Sequence, residues 1–299
     1  MIALDYVKLY LININIDRLL KLPYLHFKPN IFKQTGQIQN HVLIAEYHFC
    51  EIRVINRKDV KFSGSIHKMW NSINGIKAPN HDKSRIRGFN GNIFTLDSMH
   101  EVIIHLQNLF NCNTKQMMIK NIEFGLNLNV DFKINSYLKG LLYHTNTAFI
   151  LSYNGAFARV KHSHYDIKIY NKSSMFKLSN PVLRLELKIK KMQELKNRNI
   201  KIFTLSDINE SNLSLVLKLL TQRLKEIMYY DCTIREQELY KKDLERITYY
   251  KMKAYWLNQL KPNHRDRQKK HLIRLINNHS QNLHSQIIKS LLEMTNIHG

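Results

Sequence analysis

The chain is poor in cysteine, glycine and proline. Its three cysteines, Cys50, Cys112 and Cys232, lie far apart and form no Cys-x-x-Cys pair, which argues against a cysteine-based zinc site and against a disulfide framework. Only 9 glycines and 5 prolines occur in 299 residues, so long disordered linkers are not expected. No apolar run approaches the roughly 20 residues of a membrane span, and the N-terminus alternates like a strand and does not resemble a signal peptide. We therefore expect a cytoplasmic protein that does not associate with membranes.

Acidic residues are also scarce. There are 23 Asp and Glu residues against 46 Lys and Arg residues, which gives a formal net charge of +23. Such an excess attracts polyanions and speeds encounters with them. A nucleic-acid partner is the favoured interpretation. The alternatives are a charge that serves only solubility and, more weakly, a membrane surface.

Extended and helical patterns are mixed along most of the chain and predict an α+β fold. An amphipathic helix is predicted at residues 96–110 and another helix at residues 134–144. The three long extended segments in the middle of the chain are residues 118–130, 156–171 and 182–190. We expect them to form an antiparallel sheet with flanking helices.

The last part of the chain is helical and basic. A long helix is predicted at residues 235–260, a break at Pro262, and a final helix at about residues 267–294. We divide the chain near residue 231, into residues 1–230 with the sheet and residues 231–299 as a basic helical region.

Polar side chains share one face of the three extended segments, because side chains alternate between the two faces of a strand. Gly125 leaves open space on this face, where a ligand or another backbone can approach. The residues that alternation assigns to the face are Glu123 and Asn127 on the first segment, His162, His164, Asp166, Lys168, Tyr170 and Lys172 on the second, and Arg184, Glu186 and Lys188 on the third. An ordinary antiparallel sheet with one solvated face shows the same alternation, and this reading stays open.

The residue types on this face favour phosphoryl transfer over a merely solvated surface. A tyrosine oxygen can attack phosphorus, carboxylates or imidazoles can hold a divalent metal ion, and Lys and Arg can stabilise the charge on the phosphate. A phosphotyrosyl ester is close in energy to the phosphodiester that it replaces, so this step is reversible without ATP.

Four segments of the sequence resemble those of a known family in type and order. They are Phe62-Ser63-Gly64-Ser65-Ile66-His67-Lys68, Asn121-Ile122-Glu123 with Asn127, Ile169-Tyr170-Asn171-Lys172, and Arg184-Leu185-Glu186-Leu187. They resemble the replication initiation factor family of rolling-circle plasmids and the gene II replication proteins of filamentous phages. The resemblance spans roughly residues 40–230.

The resemblance implies a site-specific DNA endonuclease and ligase that initiates rolling-circle replication. It implies that Tyr170 is the nucleophile that forms a 5′-phosphotyrosyl intermediate and that Lys172 and Arg184 contact phosphate. It also implies that Glu123 and Glu186 are active-site carboxylates, and an oxygen-rich site of this kind suits Mg²⁺ or Mn²⁺. His162 is our third predicted ligand, because His162-Ser163-His164 has the spacing of the family's histidine pair but not its hydrophobic middle residue.

Basic residues outside these segments are predicted to bind origin DNA, either single-stranded or as an extruded hairpin. The predicted contacts are His67, Lys68, Arg85 and Arg87 in the first half of the chain and Lys253, Arg267, Lys269 and Lys270 in the basic helical region. Host helicase, polymerase and a second copy of the chain are further candidate partners. Two alternatives remain open from the residues alone: a DNA-binding protein without nuclease activity, and a relaxase or transposase with the same tyrosine chemistry.

Overall fold

The computed structural model describes residues 2–32 and 34–297, and it confirms the predicted α+β class. Among these residues, ten strands form one antiparallel sheet in the order β2-β3-β4-β5-β1-β6-β12-β11-β10-β9, and three short strands form a second sheet in the order β13-β7-β8. The strands are β1 Ala3–Leu11, β2 Lys28–Ile31, β3 Ile38–Tyr47, β4 Cys50–Ile55, β5 Asp59–Ser65, β6 Met117–Asn129, β7 Leu141–His144, β8 Thr147–Ala148, β9 Ile150–Ser152, β10 Phe157–Lys161, β11 Tyr165–Asn171, β12 Val182–Ile189 and β13 Ile227–Tyr229.

The helices lie between and after the strands. They are α1 Ile16–Leu20, α2 Ile66–Ile73, α3 Leu96–Phe110, α4 Ile134–Lys139, α5 Lys172–Phe176, α6 Gln193–Lys196, α7 Glu210–Lys225, α8 Lys241–Tyr250, α9 Pro262–His279 and α10 Leu283–Ile297. None of the helices described is both long and apolar enough to pass through a bilayer.

The main core lies on the apolar face of the large sheet. Alternate residues of the strands, such as Phe124 on β6 and Leu185 on β12, are fully or almost fully buried there together with apolar residues of α3, α7 and α10. Helix α3 has the predicted bounds, because the Thr95 side chain accepts a hydrogen bond from the Ser98 backbone amide at its start and Asn111 adopts a left-handed conformation at its end. The other face of the sheet is left for polar side chains.

Strand β1 contains a bulge at Asp5. Leu4 pairs with Phe124 and Tyr6 pairs with Glu123, so Asp5 is an extra residue on β1. A bulge turns two successive side chains towards the same face. It therefore places both Asp5 and Tyr6 on the polar face, while the neighbouring Leu4 and Val7 stay in the core.

Two predicted helices differ from the structure. The helix predicted at residues 134–144 ends at Lys139, and the chain continues as β7, which pairs with β13. Gly140 at this point lets the Tyr230 backbone approach closely, because a Cβ atom there would lie 2.1 Å from the Tyr230 carbonyl oxygen. The helix predicted at residues 235–260 is shorter, since α8 ends at Tyr250 and a single π-helical turn follows at Tyr255–Gln259.

The final basic helix is also two helices and not one. Asn282, with a φ of 52°, separates α9 from α10. Helix α9 packs with α8 in a second apolar cluster around Trp256. The apolar residues of α10, among them Leu283 and Ile287, belong to the main core. The boundary near residue 231 stays a prediction.

Candidate active site

Four adjacent strands bring three carboxyl groups and one tyrosine together on the polar face of the sheet. Asp5 comes from β1, Glu123 from β6, Glu186 from β12 and Tyr170 from β11. One oxygen atom from each carboxyl group lies within 4.8 Å of the other two, and all three residues are buried. Alternation correctly places the two glutamates and Tyr170 on one face.

The Tyr170 hydroxyl is fixed by two hydrogen bonds. It donates to Glu186 Oε1 at 2.7 Å and accepts from Lys172 Nζ at 3.2 Å. The side chain is only 8% exposed. Burial and the Glu186 charge raise the pKa of Tyr170 well above its ordinary value. The phenol is therefore held in its protonated form and needs a base before it can act as a nucleophile.

Lys172 can be this base, because its amino group lies next to the phenol and has a lowered pKa. It is the first residue of α5 and is fully buried, and its ammonium donates to Asn90 Oδ1 at 2.6 Å as well as to the Tyr170 hydroxyl. Burial and the nearby Arg184 guanidinium lower the pKa of Lys172 to about 7. The amine is thus present in both its charged and its neutral form near neutral pH.

Arg184 connects two of the carboxylates. Its guanidinium donates to Asp5 Oδ2 at 2.6 Å, to Glu186 Oε1 at 3.1 Å and to Asn127 Oδ1 at 3.1 Å. Burial alone would raise the pKa of Asp5, but Arg184 and Lys172 lower it well below its ordinary value. Three of its N–H groups bind inside the protein and the side chain is only 3% exposed, so Arg184 positions the carboxylates. Its direct contact with phosphate stays a prediction.

Gly125 makes room for this guanidinium. A Cβ atom on Gly125 would lie 1.9 Å from Arg184 Nη2. The open space predicted beside Gly125 is therefore filled by Arg184, and it is not available to a ligand.

Lys168 lies between the two glutamates. Its ammonium is 2.6 Å from Glu123 Oε1 and 3.2 Å from Glu186 Oε2. Burial and repulsion from Glu186 raise the pKa of Glu123 to about 8. Burial would also raise the pKa of Glu186, but Lys168 and Arg184 lower it to about 2. One glutamate therefore exchanges its proton near neutral pH, while the other stays ionised.

A cavity of about 620 Å³ gives access to these groups. Tyr170, Lys168, Lys172 and all three carboxyl residues line it. Its volume is within the range of about 300–1,000 Å³ that is typical of small-ligand pockets. The Tyr170 ring, although mostly buried, thus faces a space that a phosphate group can enter.

The donor set fits a hard divalent cation. Asp5, Glu123 and Glu186 offer oxygen atoms only, and such sites suit Mg²⁺ or Mn²⁺. Among the residues described, this is the one group of three or more acidic, histidine or cysteine side chains that is close enough to hold a metal ion.

His162 lies outside this group, which corrects its prediction as a metal ligand. The segment predicted as one strand at residues 156–171 is a hairpin, and His162 is in the turn between β10 and β11. Its Nε2 atom is 2.9 Å from His144 Nδ1, and the other nitrogen of His144 is 3.0 Å from Glu226 Oε2. His164, in the same turn, is 4.0 Å from Glu194.

The predicted DNA contacts in the first half of the chain have different surroundings. His67 is only 1% exposed and stacks on Phe94 with ring centroids 4.4 Å apart, so its prediction as a DNA contact is corrected. Lys68 lines the cavity and donates to the Arg87 carbonyl oxygen at 2.7 Å. Arg85 and Arg87 are exposed, and Arg87 pairs with Glu46 at 3.1 Å.

In the basic helical region, Arg267 and Lys270 lie on the exposed side of α9, one turn apart. Lys269 is half-buried on the same helix. The Lys253 ammonium donates a hydrogen bond to the Phe149 carbonyl oxygen. The DNA contacts of Lys68, Arg85, Arg87, Lys253, Arg267, Lys269 and Lys270 stay predictions.

Three residues of the site are absent from the predicted site set. Asp5 was missed because strict alternation with Val7 and Leu9 assigns it to the apolar face, and nothing in the sequence marks the bulge. Lys168 was placed on the correct face but was given no role. Asn90, which donates to Asp5 and accepts from Lys172, belongs to a long loop without a periodic pattern.

Comparison with known proteins yields little. No protein-family model matches the chain, and no curated protein sequence matches it. Among solved structures, the chain is similar to the rolling-circle replication initiator protein from Geobacillus stearothermophilus, with 12% sequence identity and a TM-score of 0.41 over 81% of this chain and 90% of that chain. Function therefore has to be inferred from the residues of the site.

Proposed function

We propose that this protein initiates rolling-circle DNA replication by nicking and rejoining one DNA strand, with Tyr170 as the nucleophile. The observation that carries the proposal is the hydrogen bond of 2.7 Å between the Tyr170 hydroxyl and Glu186, inside a cluster of three carboxyl groups at the wall of a cavity. The net charge of +23 supports a polyanionic substrate.

Asp5, Glu123 and Glu186 are the residues that would hold Mg²⁺ or Mn²⁺. When bound there, the ion would polarise the scissile phosphate as a Lewis acid. Arg184 contributes by fixing Asp5 and Glu186 relative to each other, since it donates to both carboxylates.

The proton of Tyr170 moves to Lys172. In the structure the phenol donates to Glu186 and accepts from Lys172. When Lys172 is neutral, the hydroxyl turns from Glu186 towards the amine, which lies within hydrogen-bond distance and accepts the proton. The phenolate oxygen forms a bond to phosphorus, and the bond between phosphorus and the 3′ oxygen breaks. The 3′ oxygen takes up a proton from water and becomes the 3′-hydroxyl, which primes synthesis.

The 5′ end stays on Tyr170 as a phosphotyrosyl ester. Attack of a 3′-hydroxyl on this ester, with loss of the hydroxyl proton to water, reverses the step and rejoins the strand without an external energy source. The ammonium that forms on Lys172 during nicking then returns its proton to the phenolate oxygen. Nicking and joining therefore use the same set of residues.

The proposed substrate is origin DNA that is single-stranded or extruded as a hairpin. The exposed basic residues Arg267 and Lys270 on α9 would contact the backbone of flanking DNA and position the protein without reading its sequence. Recruitment of host helicase and polymerase, and action as a homodimer, are parts of the proposal that rest on the resemblance alone.

The test is formation of a covalent protein–DNA adduct. The protein is incubated with Mn²⁺ and a supercoiled plasmid that carries the DNA flanking its gene, and nicked circles and denaturation-resistant adducts are measured. The wild type and Tyr165→Phe should nick, since Tyr165 packs in the core on the opposite face of β11. Tyr170→Phe should not nick. Plasmid binding without an adduct in the wild type would instead support a DNA-binding protein without nuclease activity.

A further inference from the structure

The lining of the 620 Å³ cavity includes an apolar part that the proposed chemistry does not use. Besides the charged groups, the cavity is lined by Ile86, Tyr153, Ala156, Phe157 and Met175. Apart from the Tyr153 hydroxyl, these side chains have no group that can hold a metal ion or donate to a phosphate. They are suited to the flat, apolar face of a ring.

Three aromatic rings lead from the surface to the proposed nucleophile. Phe157 on β10 lies directly across from Tyr170 on β11, and their ring centroids are 5.4 Å apart. Tyr153, at the tip of the hairpin between β9 and β10, lies 6.0 Å from Phe157 in an edge-on arrangement. Tyr153 is 81% exposed, so most of its ring is free to contact a ligand.

The backbone at the hairpin tip does not favour a tyrosine. Tyr153 has a φ of 51°, and Asn154 and Gly155 that follow also have positive φ angles. Asn and Gly adopt this left-handed conformation readily, whereas a bulky side chain there is uncommon. Because the ring is exposed and adds little to the core, folding alone does not account for a tyrosine at this position.

We propose that Tyr153 and Phe157 form a stacking subsite for an unpaired DNA base next to the phosphodiester that Tyr170 attacks. This inference rests on the proposed function and specifies its substrate as single-stranded at the cleavage position. Base–aromatic stacking is the usual means by which proteins hold single strands without reading their sequence. A base inside a duplex is covered by its neighbours and cannot offer its face to Tyr153.

Charge on the same cavity favours a nucleic acid as the occupant. Lys68 and Lys168 line the cavity, and the ammonium of Lys68 contacts a backbone carbonyl oxygen and no carboxylate among the residues that the structure describes. A strand of DNA would thus find a cation for its backbone and an aromatic surface for its base in one cavity. An apolar peptide would give the Lys68 ammonium no anionic partner.

The experiment compares a thymidine 12-mer with a 12-mer of abasic nucleotides, which has the same backbone charge but no bases. Binding is measured by fluorescence anisotropy in EDTA, so that cleavage does not contribute. The wild type should prefer the thymidine strand, and Tyr153→Ala should lose about tenfold in affinity for it but not for the abasic strand. Tyr153→Trp should restore the preference. Tyr240→Ala is the matched control, since Tyr240 is 83% exposed and does not line the cavity.

The outcomes separate this inference from the proposed function. Equal affinity of the wild type and Tyr153→Ala for the thymidine strand would overturn the stacking subsite, even if the wild type nicks plasmid DNA. A tenfold loss that is specific to Tyr153→Ala and to DNA with bases would support the subsite, even if the covalent adduct with Tyr170 never forms.

Discussion

Replacement of Lys168 by methionine tests how much the Lys168 charge stabilises the three neighbouring carboxyl groups. The Lys168 ammonium is 2.6 Å from Glu123 and 3.2 Å from Glu186, and only 16% of its side chain is exposed. It therefore occupies a position between two carboxylates that a divalent cation would also favour. Lys168→Met removes this charge and keeps most of the apolar volume of the side chain.

The expected loss of stability follows from the burial of the two partners. Removal of one member of a buried ion pair costs about 3–5 kcal/mol. At pH 7 Glu123 is already mostly protonated, since its pKa is about 8, so the charge pair that is lost is mainly the one with Glu186, which keeps Arg184 as a partner. At pH 7 we therefore expect a loss of about 3 kcal/mol, or a fall in Tm of roughly 6–12 °C.

The loss should depend on pH in a defined direction. The pKa of Glu123 is raised from 4.5 to about 8 on folding, so the folded chain binds more protons than the unfolded chain between these values. Stability from this group accordingly falls as the pH rises through that window. Removal of Lys168 raises the pKa of Glu123 further, so the destabilisation should be larger at pH 9 than at pH 6.

Divalent metal should stabilise the variant more than the wild type. Without Lys168, the metal ion no longer has to displace an ammonium, and we expect Mn²⁺ to bind at least about tenfold more tightly, which is about 1.4 kcal/mol. The measurements are thermal unfolding in EDTA and in Mn²⁺, and calorimetric titration with Mn²⁺. Lys188→Met is the control, because Lys188 is 3.8 Å from Glu123 and more exposed, so its loss should cost less than about 1 kcal/mol. Equal Mn²⁺ affinity in the wild type and in Lys168→Met would refute the reasoning.

Two further predictions concern the proton acceptor and the glycine of the site. Lys172→Met should slow nicking by about 10²–10⁴-fold. The nicking rate of the wild type should rise with pH in two steps, at about 7 where Lys172 loses its proton and at about 8 where Glu123 ionises. Lys177→Met is the control, since Lys177 is exposed just after α5, and it should leave the dependence of the nicking rate on pH unchanged. If Lys172→Met also leaves this pH dependence unchanged, Lys172 is not the base. Gly125→Ala should destabilise the protein by about 3–5 kcal/mol in chemical denaturation, because its methyl group displaces the Arg184 guanidinium from Asp5 and Glu186. In an Arg184→Met background, Gly125→Ala should therefore lower the free energy of unfolding much less. If the losses from the two substitutions simply add, the explanation is contradicted.

The sequence predicts well where strands are regular. Tyr170, Glu123 and Glu186 lie on uninterrupted stretches of β11, β6 and β12, so alternation assigns all three to the correct face. Helix α3 is predicted to the residue because its capping residues are adjacent to a clear amphipathic pattern. Local periodicity is sufficient in both cases.

Prediction fails where one residue changes the local geometry. Asp5 reaches the site through a bulge, which alternation cannot represent. His67 is predicted as a DNA contact, but the Ser65 side chain accepts a hydrogen bond from the Lys68 amide and starts α2, which turns His67 into the interior. His162 fails for a related reason, since the hairpin turn interrupts the strand on which its face was counted.

Charge balance explains why a site of this composition can be stable before a substrate arrives. With Glu123 protonated and Lys172 neutral, the carboxylates of Asp5 and Glu186 face two cations, Arg184 and Lys168, and the cluster has no net charge. Ionisation of Glu123 and binding of a divalent cation would leave one positive charge, which a single phosphodiester neutralises. Both balanced states avoid an unpaired buried charge, which is the costly alternative in a protein interior. The raised pKa of Glu123 and the lowered pKa of Lys172 are therefore the features that let the same buried side chains serve both states.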